Sequence, residues 1–147
     1  MHDVRNRFKQ VWYRIDNLFN QYAKKSGANL TTILVLDMLA EGNEPHTQKE
    51  ICEQLMLPKQ LVNIIIKTFW EQGYVELKEA KDRRNKKIHL TESGKVYAES
   101  ILAPFQAAEE RALGTFTDTE LGIFAAALEK YEKAMEENLL DFPQAFT

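Results

Sequence analysis

The spacing of apolar residues changes twice between Thr47 and Gly94, and few folds accommodate that change. Thr47-Gln48-Lys49-Glu50 forms a capping box, because a threonine hydroxyl can accept from the amide three residues on while the glutamate reaches back. It opens a short helix over 48–55. Pro58 then sits where a first-turn proline is tolerated and starts a longer helix to about Gln72, with Gly73 as its C-cap. Two helices joined by Met56-Leu57-Pro58 make a helix-turn-helix. At Tyr74 the period drops to two. Tyr74-Val75-Glu76-Leu77 and Lys87-Ile88-His89-Leu90 alternate apolar with polar, as half-buried strands do. The turn between them, Lys81-Asp82-Arg83-Arg84-Asn85-Lys86, completes a hairpin directly after the helix-turn-helix, which is a wing.

Long helices flank this block. Val4, Phe8, Val11, Ile15, Leu18 and Tyr22 recur at alternating spacings of four and three, a heptad seam that Trp12 and Phe19 widen. A further helix is expected from about Thr31 to Glu41, with Ile33, Leu34, Leu36, Met38 and Leu39 largely inside. Thr91 can cap a helix over about 92–112, bent at Pro104. Thr117-Asp118-Thr119-Glu120 is a second capping box, and its helix carries Leu121, Phe124, Leu128, Tyr131 and Met135 at three-four spacing. The tail adds Leu139, Leu140, Phe142 and Phe146. Two terminal apolar stripes of this kind need a partner, so a homodimer is expected.

Composition narrows the function. The chain has 147 residues, enough for one domain with its own core. Its net charge of −3 is unevenly spread. Residues 1–91 carry 15 Lys and Arg against 11 Asp and Glu, whereas the remainder carries 4 against 11. Within 78–87 six residues are basic and two acidic, a local strip suited to phosphate. The six glycines are all isolated, so no loop cradles a phosphate. The three serines lie in no nucleophile elbow, and no His–Cys or paired-carboxylate spacing suggests an active site. An enzyme is therefore not expected, nor a metal or other cofactor. Cys52, between Ile51 and Leu55, reads as a buried thiol rather than a redox sensor. The mixed-charge N-terminus shows no signal peptide and no apolar run reaches the roughly 18 residues of a membrane span, so a cytoplasmic protein is expected.

The order of these parts resembles the MarR family of bacterial winged helix-turn-helix regulators. The resemblance covers essentially the whole chain. It is sharpest at Asp82-x-Arg84 followed by Leu90-Thr91-x-x-Gly94, with Gly73-Tyr74-Val75 before them. It implies a mainly α fold with a small β-hairpin wing: a DNA-binding lobe over about 30–91, and dimerisation helices over about 3–25 and 92–147. These form one domain, 1–147. It further implies a homodimer on a pseudo-palindromic operator of double-stranded DNA, acting as a repressor that a small phenolic or amphipathic effector releases. The alternative is a winged-helix protein–protein module without DNA binding.

Carried onto this sequence, the resemblance places Pro58, Lys59, Gln60, Asn63 and Lys67 on the exposed face of the recognition helix. Gln and Asn can pair with adenine, and Lys can reach guanine or phosphate. Thr47 and Gln48 lie at a helix N-terminus that favours phosphate. Asp82 and Arg84 match a structural pair in the wing, and Lys81, Arg83, Arg84, Asn85 and Lys86 are its DNA-facing cations and polar groups. Family members often have Arg where this chain has Ile64 and Thr68. Ile64 can contact a thymine methyl or pack inward beside Ile65, and the sequence leaves both open. Trp12, Phe19, Tyr22, Met38 and Trp70 are candidates to line an effector pocket, with core or dimer interface as the competing role.

Overall fold

The computed structural model describes residues 2–42, 44–78 and 86–140. Its elements are α1 (His2–Lys25), α2 (Leu30–Ala40), β1 (His46–Thr47), α3 (Gln48–Leu55), α4 (Lys59–Glu71), β2 (Val75–Lys78), β3 (Lys87–Leu90), α5 (Glu92–Leu113) and α6 (Asp118–Leu140). The chain divides into two compact units, Met1–Pro104 and Phe105–Thr147.

The first unit holds the core. Ile33, Val35, Leu36 and Met38 from α2, Ile51 from α3, and Val62, Ile65, Ile66 and Phe69 from α4 are buried together. Val75 and Ile88 join them from the sheet, and Ala98, Ile101 and Leu102 from α5. Asn29 starts α2 by accepting from the Thr32 amide at 2.8 Å, satisfying a donor the first helical turn leaves open. The expected burial of Leu34 is not found: it is exposed, and Val35 takes its place. Ile33, Leu34, Val35 and Leu36 form an unbroken apolar run, so periodicity does not distinguish one face from another there.

The sheet has three antiparallel strands in the order β1-β3-β2. β2 pairs with β3 from Val75 opposite Leu90 to Lys78 opposite Lys87. β1 adds only His46 and Thr47, opposite Ile88 and Lys87. Two residues are too few to show alternation, so this strand has no signature in the sequence. Residues 79–85, on which the expected Asp82–Arg84 pair falls, lie outside the described residues.

Gly94 explains the Leu90-Thr91-x-x-Gly94 pattern. The first turn of α5 lies so close to Tyr74 that a Cβ on Gly94 would stand 2.0 Å from the Tyr74 carbonyl oxygen. Thr91 locks the approach. Its amide donates to the Tyr74 carbonyl at 2.9 Å, its hydroxyl donates to the Gly73 carbonyl at 2.6 Å, and its Oγ accepts from the Gly94 amide at 3.0 Å. Gly73 has φ +76°, the left-handed conformation that ends α4 and turns the chain into β2. Phe69, Tyr74 and Tyr97 close the seam from the inside, with Tyr74 and Tyr97 stacked at 4.2 Å between ring centres and Phe69 edge-on to both. Burial, with the nearby Tyr74 phenol, pushes the Tyr97 hydroxyl above its ordinary pKa.

The second unit comprises the end of α5 and α6. The Thr117 box forms as expected: the Thr117 hydroxyl accepts from the Glu120 amide at 3.1 Å and Glu120 accepts from the Thr117 amide at 3.3 Å. Phe116 stacks on Phe124 at 6.1 Å. No residue of α6 is buried.

Candidate nucleic-acid interface

The face that matters is built by α3, the turn after it, and α4. The capping box fixes where α3 starts, with the Glu50 amide donating to Thr47 Oγ at 3.1 Å and the Thr47 amide donating to Glu50 at 3.2 Å. Glu50 also joins α3 to the sheet. Its carboxylate lies 3.5 Å from the Lys87 ammonium and 3.4 Å from His46 Nδ1. Partial burial alone would raise the pKa of this carboxyl. The Thr47 amide, the Lys87 charge and the His46 ring outweigh it and hold the group below the usual glutamate range. The sequence shows the cap but not the ion pair with Lys87, a residue far away in the chain that only the β1–β3 pairing brings near.

Met56 ends α3 in the left-handed conformation, φ 52° and ψ 44°, with its amide donating to the Cys52 carbonyl. Pro58 is the N-cap of α4 rather than its first helical residue. Its carbonyl accepts from the amides of Leu61 at 3.1 Å and Val62 at 3.2 Å. From there α4 is sharply two-faced. Val62, Ile65, Ile66 and Phe69 are buried. Pro58, Lys59, Gln60, Asn63, Lys67 and Thr68 are exposed. Ile64, which the sequence left open, faces solvent at 63% exposure.

Thr47 is buried at 7% exposure, and its hydroxyl serves the cap. Gln48 beside it is half-buried. Lys86 is exposed immediately before β3, while Lys81, Asp82, Arg83, Arg84 and Asn85 lie outside the described residues. The five effector candidates are dispersed. Met38 is in the core with Tyr22 packed against it, and the Tyr22 hydroxyl donates to the Ile101 carbonyl. Trp12 and Phe19 on α1 and Trp70 on α4 are exposed. Cys52 is half-buried against the core rather than fully enclosed. Among the described residues no helix is long and apolar enough to cross a membrane.

Comparison with known proteins identifies this architecture. A sequence profile of the MarR family matches residues 26–85, from just after α1 to just before β3. A MarR family regulator from Neisseria meningitidis is 32% identical over 92% of this chain and 97% of its own, with a TM-score of 0.73. A MarR family transcriptional regulator from Rhodococcus sp. RHA1 is 22% identical over 88% and 92%, with a TM-score of 0.66. MepR of S. aureus, in a complex with DNA, is 20% identical over 86% and 97%, with a TM-score of 0.73. At that identity the last two speak for the fold. No curated protein matches the sequence. The fold is a winged helix-turn-helix, mainly helical with a small antiparallel sheet. The chain belongs to the MarR family of transcriptional regulators.

Proposed function

We propose that the chain is a sequence-specific, DNA-binding transcriptional regulator, working in the cytoplasm as a homodimer on a pseudo-palindromic operator. One observation carries this reading: α4 buries Val62, Ile65, Ile66 and Phe69 while Lys59, Gln60, Asn63 and Lys67 stay open on the other side. A helix held rigidly from behind, with amide side chains flanked by cations in front, suits a major groove. Lys81, Arg83, Arg84, Asn85 and Lys86 of the wing supply phosphate and minor-groove contacts, with Asp82 paired to Arg84. Thr47 and Gln48 bring the N-terminus of α3 to the backbone. MepR of S. aureus, which shares this fold, was solved in a complex with DNA, and that supports a DNA-binding reading.

The dimer rests on α1 and α6, whose apolar stripes stay largely exposed: Val4, Ile15 and Leu18 on the first, Phe124, Met135 and Leu139 on the second. A repressor released by a small phenolic or amphipathic effector completes the proposal, with Trp12, Phe19, Tyr22, Met38 and Trp70 as its nearest candidates. No catalytic role is assigned.

A gel-shift with duplexes covering the DNA beside the chain's own gene tests the central claim. Binding that survives excess random competitor is expected. Gln60→Ala and Asn63→Ala should each lower specific affinity by roughly 1–3 kcal/mol per half-site while leaving random-sequence binding nearly constant. Equal loss on specific and random duplexes would move sequence reading away from these two residues.

A further inference from the structure

We infer that Ile64 reads thymine through its C5-methyl group, an inference that rests on the DNA-binding proposal above. Ile64 lies in the middle of α4 and is 63% exposed, although the neighbouring Ile65 and Ile66 are in the core. A branched apolar side chain in water gains nothing there, and lysine or glutamine would suit a helix surface better. Its neighbours on the same face, three and four residues away, are Gln60, Lys67 and Thr68. The Thr68 hydroxyl donates back to the Ile64 carbonyl at 2.8 Å, which leaves the threonine methyl as its outward group. The row Gln60, Ile64, Thr68 is therefore polar at the N-terminal end and apolar beyond it, with Asn63 and Lys67 alongside.

That sequence of groups selects its occupant. The cations Lys59 and Lys67 favour a polyanion over an apolar protein surface. In the major groove the thymine methyl is the one apolar group that any base presents. An isoleucine held against base edges beside the Lys67 cation thus complements thymine. It replaces the charge that an arginine would place there with a contact that discriminates.

The test uses the full chain and a duplex enriched from a random-core library. Each thymine of the enriched half-site is replaced in turn by deoxyuridine, which removes the methyl and nothing else. For the unaltered protein at least one replacement should weaken binding by about fourfold, the loss of one buried carbon. Ile64→Ala should bind the two duplexes equally, and Ile64→Val should retain most of the difference. Because Ile64 is outside the core, its variants should melt as the parent does. If Ile64→Ala melts early, the valine variant and the deoxyuridine series on the parent decide the matter. Equal deoxyuridine penalties in the parent and Ile64→Ala would overturn the inference while leaving the DNA-binding proposal standing. Failure to enrich any duplex would overturn both.

Discussion

Helices α4 and α6 carry apolar residues at the same three-four spacing and differ in what covers them. α4 spans 13 residues and buries four of them. α6 spans 23 and buries none. The stripe of α4 faces α2, α3 and α5 within one core, whereas Phe124, Met135 and Leu139 of α6 remain exposed. Periodicity shows that a helix has an apolar face but not what that face meets. In α4 it meets the same chain, which leaves the opposite face rigid and free to bind. In α6 no residue is buried, and it is this open stripe that the proposed homodimer uses.

Breaking the first unit should have the larger effect. Gly94→Ala forces a methyl to within 2.0 Å of the Tyr74 carbonyl oxygen. Neither backbone can retreat, because Thr91 ties α5 to Gly73 and Tyr74. The expected loss is about 3 kcal/mol in denaturant unfolding, with no dependence on protein concentration beyond that of the parent. A variant of parental stability would mean that α5 and Tyr74 can move apart without cost.

Breaking α6 should leave the lobe intact. Met135→Glu combined with Leu139→Glu puts two charges on the stripe. It should raise the dissociation constant of the dimer by about a hundredfold, read by sedimentation across a dilution series. The near-ultraviolet circular dichroism to which the stacked Tyr74 and Tyr97 contribute should persist. A parent protein that sediments as a folded monomer at micromolar concentration would dispose of the dimer altogether.

The two units also differ in how far the sequence reveals them. Both capping boxes, the ends of α3, and the β2 and β3 strands follow from local chemistry: a hydroxyl three residues before a carboxylate, or alternation over four residues. What escaped needs the folded chain. The glycine at position 94 is recognisable as part of a motif, yet its reason is the backbone of Tyr74, twenty residues away. β1 is too short to have a pattern. Leu34 and Val35 sit in a run without polar residues to orient it. Ile64 and Ile65 are adjacent isoleucines with opposite fates, which only the direction of the α4 core settles. The exposed face of α4 was legible at Lys59, Gln60, Asn63 and Lys67 because polar residues there recur against an apolar stripe. The effector candidates were not, because an aromatic at helical spacing looks the same in a core and in a pocket.

A smaller effect should appear with pH. The Glu50 carboxyl is held below its ordinary pKa by the Thr47 amide, Lys87 and His46. A depressed acid contributes stability that is fully present above its unfolded pKa, about 4.3, and is lost as the pH falls through the lowered folded value. The parent should therefore weaken through that acid window more than Glu50→Gln does, when both are melted at a series of pH values. Because the side chain is 40% exposed, salt should reduce the difference. Parallel curves for the two proteins would show that the link between α3 and the sheet carries no charge-dependent stability.

The smallest effect concerns Met56, and it tests whether exposed apolar residues of the first unit resemble those of the second. Met56 is 90% exposed and adopts φ 52°, ψ 44° at the end of α3. For an L-residue the left-handed conformation costs roughly 1–2 kcal/mol. Glycine removes that cost but adds about 0.4–1 kcal/mol of disorder to the unfolded chain. Little packing is lost, since the side chain touches so little, and the backbone hydrogen bond from the residue-56 amide to the Cys52 carbonyl is kept. Met56→Gly should thus stabilise the protein by about 0.5 kcal/mol in denaturant unfolding, independently of concentration. If the variant is instead less stable, and the deficit grows on dilution, then a second copy covers Met56 in the assembled protein. The turn between α3 and α4 would then belong with α6 as an assembly surface rather than with the recognition face.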